Sequence, residues 1–87
     1  MAHWDIEIKR EALKELQKLD KPVRRRLQAA IDRLRNDPRP PGVVAMKGLP
    51  GKLRLRVGDW RIIYRIEDDH LVVVVLALGH RREIYER

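Results

Sequence analysis

No cysteine occurs among the 87 residues. That excludes a disulfide framework and a thiolate metal site, and it fits a reducing cytoplasm. Long apolar runs are missing too: the longest, Leu71 to Leu78, has eight residues, against the ~20 of a membrane-spanning helix. After Met1, the place of a signal peptide's apolar stretch is filled by Asp5, Glu7, Lys9 and Arg10, so neither secretion nor membrane insertion is expected. Internal repeats and low-complexity tracts are absent. What remains is one small domain over residues 1–87, a size at which folding buries only ~60% of the unfolded chain's surface. Its 44% hydrophobic and 38% charged residues make a folded, soluble balance and not a disordered one.

Acidic residues are the minority charge. Twenty Lys and Arg against thirteen Asp and Glu give a net charge of +7 and a pI near 10.4. Such a surplus favours an anionic partner, nucleic acid first or an acidic protein. A merely solubilising surface has the same composition, so the distribution of the cations decides.

The chain divides into three blocks. Trp4, Ile6 and Ile8 alternate with Asp5 and Glu7, the period of a half-buried strand. Helical spacing follows, with Leu13, Leu16 and Leu19 on one stripe up to Asp20. Pro22 suits the first turn of a second helix, whose apolar face is Val23, Leu27, Ala30, Ile31 and Leu34 before Asn36-Asp37-Pro38 stops it. The second block, Asn36 to Gly51, holds every proline but Pro22 and reads as an extended loop. Its Val43, Val44, Met46 and Leu49 predict that it lies over the core. The third block is all strand: Lys52–Val57, a turn at Gly58-Asp59, Trp60–Ile66, a turn at Glu67-Asp68-Asp69, then Leu71–Leu78. The last of these is apolar on both faces, as in a strand buried on each side. The expected fold is α+β, in the order β-α-α-β-β-β, with the helix hairpin packed on a mostly antiparallel four-stranded sheet.

Alternation points Lys52, Arg54 and Arg56 one way and Leu53, Leu55 and Val57 the other. Arg61 and Arg65 share a face opposite Trp60, Ile62, Tyr64 and Ile66. Residues 52–66 therefore hold five basic side chains and one acidic one, Asp59, with His80, Arg81 and Arg82 following the last strand. Unopposed cations on neighbouring strands repel and destabilise a sheet, so the cluster points to an anionic ligand. Phosphate fits best, because arginine offers a planar fork of donors to its oxygens. Other constellations are weak. His3 and His80 lack cysteine companions for zinc, Glu67-Asp68-Asp69 reads as a polar turn, and Gly48-Leu49-Pro50-Gly51 lacks the ending of a phosphate loop. Trp4, Trp60 and Tyr64 alternate with aliphatic residues and read as core.

The stretch Leu49-Pro50-Gly51-Lys52-Leu53-Arg54-Leu55-Arg56-Val57-Gly58-Asp59-Trp60-Arg61-Ile62-Ile63-Tyr64 resembles the meander of the RelE/ParE toxin superfamily. Val74 and Leu76 leading into Gly79-His80-Arg81-Arg82-Glu83-Ile84-Tyr85 resemble its last strand and C-terminus, and Ala12-Leu13-Lys14-Glu15-Leu16 is similar to its first helix. The likeness spans nearly the whole chain and is nearer the RelE branch, whose members cleave messenger RNA on the ribosome, than the ParE branch, which inhibits DNA gyrase.

By position, the resemblance implies that Lys52 and Arg54 are the basic pair of the first meander strand. Arg61 is the arginine after the turn, Arg81 the arginine after the last strand, and Tyr85 the C-terminal tyrosine. These five are the implied catalytic residues, and Lys52, Arg54, Arg56, Arg65, His80 and Arg82 the RNA-binding set. The implied reaction is attack of a ribose 2′-hydroxyl on the adjacent phosphate with departure of the 5′-oxygen, without metal or small-molecule cofactor. Lys52, Arg54 and Arg61 would carry the phosphorane charge, Arg81 the leaving group, and Tyr85 would stack on a base or orient the hydroxyl. Arg54 stands where the family often has a lysine, and an arginine stays protonated. The general base is therefore open among Lys52, Tyr85 and His80. The implied partners are a cognate antitoxin, mRNA in the ribosomal A site and ribosomal RNA, in the cytoplasm. The alternatives are a ParE-like gyrase inhibitor without catalysis, or an inactive member acting only with its antitoxin.

Overall fold

The computed structural model describes residues 4–80, so Arg81, Arg82 and Tyr85 lie outside the described residues. The elements run β1 (Asp5–Ile8), α1 (Arg10–Lys18), α2 (Lys21–Arg33), β2 (Val44–Ala45), β3 (Lys52–Val57), β4 (Trp60–Glu67) and β5 (Val72–His80). They build one sheet in the order β1-β5-β4-β3-β2. Neighbours are antiparallel except β1, which runs parallel to β5. The sheet thus has five strands where four were expected. The added strand is two residues inside the Pro-rich loop, paired as Val44↔Arg54 and Ala45↔Leu53, too short for any periodicity to betray it.

Helix α1 carries Glu11 in its first turn and Lys18 in its last, each favourable to the helix dipole. Its buried residues are Ala12 and Leu16, while Leu13 is 41% exposed. The expected Leu13-Leu16-Leu19 stripe is therefore rotated: a spacing of four, from Ala12 to Leu16, stays on one helical face better than repeated steps of three. In α2, Pro22 occupies the first turn, and Leu27, Ala30, Ile31 and Leu34 are buried as the apolar pattern predicts. Together these residues pack on Ile62, Tyr64, Val73, Val75 and Leu78 of the sheet. Each fully buried Leu, Ile or Val there contributes roughly 1.5–3 kcal/mol.

The core face of β5 reads Val73, Val75, Leu78, a step of two and then of three. The cause is a bulge: Ile63 pairs with Ala77 and Tyr64 with Val75, which leaves Leu76 as the extra residue. β5 was expected to be covered on both sides, yet among the described residues the helices cover one face. Val74 is nevertheless buried on the other, where its cross-strand neighbours are Glu7 and Arg65, whose long stems can cover apolar surface.

The loop after α2 is pinned at Pro38, whose carbonyl accepts a 2.7 Å hydrogen bond from the Tyr64 hydroxyl. Val43 packs against the core, but Val44 and Leu49 are exposed, so the loop covers the core less than its sequence predicts. Trp4 is buried in the core and Trp60 packs against it, in keeping with their core reading.

Candidate functional site

The β3–β4 hairpin builds the site. Its register pairs Lys52 with Arg65, Arg54 with Ile63, and Arg56 with Arg61. Directly opposed residues share a sheet face, so all five basic side chains of the hairpin lie on the face away from the helices. The two strands meet at Gly58-Asp59, with Val57↔Trp60 as the closing pair. Gly58 has φ +61° and Asp59 is not in the left-handed region, the pattern of a type II′ turn.

The turn also fixes the cations. Arg56 Nε donates to the Gly58 carbonyl at 3.1 Å. Arg61 Nη1 donates to the Trp60 carbonyl at 3.2 Å and to the same Gly58 carbonyl at 3.5 Å. Arg61 is only 3% exposed, the one buried charged residue among those described. Its cross-strand neighbour on β5 is Gly79, which has no side chain to crowd it. A third guanidinium comes from α2: Arg26 Nη1 lies 3.3 Å from where a Cβ on Gly58 would stand. The sequence reading missed Arg26, although the run Arg24-Arg25-Arg26 carried a signal.

The remaining expected residues separate. Lys52 and Arg54 are half-buried on the basic face. Arg65 is also there, but its guanidinium is taken by Glu67, with Nη2 and Nε donating to one carboxylate oxygen at 3.1 and 3.4 Å. His80 goes elsewhere. It pairs with Trp60 in register, and its ring meets the Trp60 ring edge-on at 5.5 Å. That puts it on the helix-covered face, apart from Arg56 and Arg61. Arg81, Arg82 and Tyr85 fall outside the described residues. Tyr64, read as core, is fully buried. Its removal from water pushes its hydroxyl up to about 12, a rise that nearby Arg39 opposes and Asp37 adds to.

The molecule is a small α+β fold with a cationic hairpin face, and comparison with known proteins assigns its class. The family described as the ParE toxin of type II toxin–antitoxin systems matches residues 6–85. The chain belongs to the RelE/ParE toxin superfamily, on its RelE branch. It is 32% identical to the mRNA interferase toxin RelE of Escherichia coli, over 98% of this chain and 92% of that one. Over 70% of each chain it is 36% identical to the toxin RelG of Mycobacterium tuberculosis. Among solved structures, the archaeal RelE–RelB complex from Pyrococcus horikoshii matches with a TM-score of 0.80 at 30% identity, covering 93% of this chain and 97% of that one. The isolated Escherichia coli RelE toxin matches with a TM-score of 0.77 at 26% identity, covering 95% and 92%.

Proposed function

We propose that this RelE-like toxin is a ribosome-dependent endoribonuclease that cleaves mRNA by attack of a 2′-hydroxyl on the adjacent phosphate. The observation that carries the reading is the anchored pair Arg56 and Arg61 on the same sheet face as Lys52 and Arg54. Phosphoryl transfer of this kind concentrates negative charge on the non-bridging oxygens, and donors already held in place stabilise that charge without reorganising. Lys52, Arg54 and Arg61 take that role, Arg81 supports the departing 5′-oxygen, and Tyr85 orients the attacking nucleotide. Arg56, Arg65 and Arg82 contribute to holding RNA, and His80 contributes least, given its contact with Trp60.

The resemblance to toxins solved with RelB supports a cognate antitoxin as the second partner, laid over the sheet and helix faces to hold the toxin inactive. The site of action is the ribosomal A site in the cytoplasm. Among the described residues no helix is long and apolar enough to cross a membrane.

The test is induction in cells, mapping the 5′ ends of mRNA while following plasmid topology. Cuts in register with the reading frame are the expected result. Gyrase-linked DNA breaks without mRNA cuts would replace this reading with the ParE-like one.

A further inference from the structure

Three guanidinium groups gather at the β3–β4 turn, and only two belong to the sheet. Arg56 and Arg61 are held on the Gly58 carbonyl. Arg26 reaches the same glycine from α2, with Nη1 3.3 Å from its would-be Cβ. Arg26 is exposed, and among the described residues it makes no hydrogen bond or ion pair. Like charges brought together at one turn repel. Helix α2 brings further cations, with Lys21 and Arg24 in its first turn after the Asp20 N-cap. A polyanion lying against the turn relieves that repulsion.

We propose that the RNA backbone continues from the Lys52–Arg61 face around the β3–β4 turn and onto α2, with Arg26 as a phosphate contact outside the reacting centre. The inference rests on the RNA-binding reading above and extends it to a second element. A guanidinium suits the non-bridging oxygens of a phosphodiester, and such a contact fixes register without reading sequence. Arg26 therefore contributes affinity and orientation, and its signature is electrostatic.

The experiment measures binding of a short, uncleavable 2′-O-methyl single-stranded RNA by fluorescence anisotropy across a salt series. Wild type should bind with a steep log–log slope, and Arg26→Gln should bind several-fold more weakly at low salt. The slope of Arg26→Gln should be shallower by about 0.7, the value for one single-strand phosphate contact. Arg26→Lys should keep the wild-type slope. Arg39→Gln removes a cation that sits beside Asp68 at 3.5 Å, at the far end of β4, and should leave the slope unchanged. Identical slopes for wild type and Arg26→Gln would overturn the proposal. So would an equal loss in Arg39→Gln, which would reduce the effect to net charge. If Arg26→Gln weakens binding of poly-glutamate but not of RNA, the surface belongs to an acidic protein segment instead. A wild-type protein that binds no RNA at any salt removes the underlying reading itself, a distinct result.

Discussion

Arg56 and Arg61 face each other across β3 and β4 and donate to one acceptor, the Gly58 carbonyl oxygen, from 3.1 and 3.5 Å. Directly opposed like charges weaken a sheet, and the shared acceptor offsets part of that cost. It also restricts both guanidiniums before a substrate arrives. The other opposed pair, Lys52 and Arg65, is balanced by Glu67 on Arg65. The two guanidiniums held on one carbonyl, Arg56 and Arg61, therefore lie at the turn end of the hairpin.

Arg61 tests the enzymatic reading most directly. Alternation alone makes Arg61→Ala look structurally harmless, since the side chain points away from the helices. Its 3% exposure and its two carbonyl contacts show that it is also part of the packing. Arg61→Ala should lower stability by about 1–3 kcal/mol and cleavage by roughly two to three orders of magnitude. Arg61→Lys keeps the charge without the fork and should recover stability better than rate. Melting temperature and growth inhibition are measured together at equal expression. Full toxicity of a folded Arg61→Ala protein contradicts the reading.

Candidates for proton transfer separate by substitution. Lys52→Met keeps the aliphatic stem and loses the ammonium, Tyr85→Phe keeps the ring, and His80→Gln removes the imidazole while keeping hydrogen bonding. Single-turnover cleavage on ribosomes should fall most in Lys52→Met, less in Tyr85→Phe and least in His80→Gln. The contact of His80 with Trp60 on the opposite face argues for the last place. A limb of the pH–rate profile that vanishes only in His80→Gln would reverse the order and make His80 the base.

The meander and its cationic face were legible because alternation is strict in Lys52–Val57 and is broken only at Ile63 in Trp60–Ile66, and turn residues bound both runs. The side taken by His80 was not. Leu71–Leu78 is uniformly apolar, so nothing in it marks the bulge at Leu76, and parity cannot be counted through such a run. Ala12 is small and contributes little to an apolar stripe, so the spacing gives Leu13 a core place that it lacks. The run Arg24-Arg25-Arg26 marks a basic segment, but which of the three reaches the turn depends on where α2 lands, a tertiary fact. The Arg65–Glu67 pair is readable in principle, as i and i+2 share a strand face, but the run Glu67-Asp68-Asp69 reads as a turn.

Tyr64 makes stability depend on alkaline pH. Its hydroxyl is raised to about 12 in the folded protein against ~10 in the unfolded chain. The stabilisation tied to the retained proton is thus fully present below pH ~10 and is lost as the pH rises through ~12. Urea denaturation should show this decline, on the order of 2–3 kcal/mol if it runs to completion. Tyr64→Phe should remove that component of the slope and cost about 1 kcal/mol at neutral pH, because the Pro38 carbonyl loses its donor. An unchanged alkaline slope in the variant would show that Tyr64 does not govern it.

Gly58 joins the fold to the site. Its φ of +61° is one that a residue with a side chain rarely holds, and a Cβ there would stand 3.3 Å from Arg26 Nη1. The arginine end can swing aside, so the backbone conformation carries most of the cost. Gly58→Ala should therefore destabilise by about 1–3 kcal/mol. The same residue supplies the carbonyl that anchors Arg56 and Arg61, so a shift of the turn moves both donors. Cleavage should then fall further than the unfolded fraction explains, as measured at a temperature where the variant is fully folded by circular dichroism. A folded Gly58→Ala protein that cleaves at the wild-type rate would separate the turn from the chemistry. The anchoring of the two arginines would then be a packing feature alone.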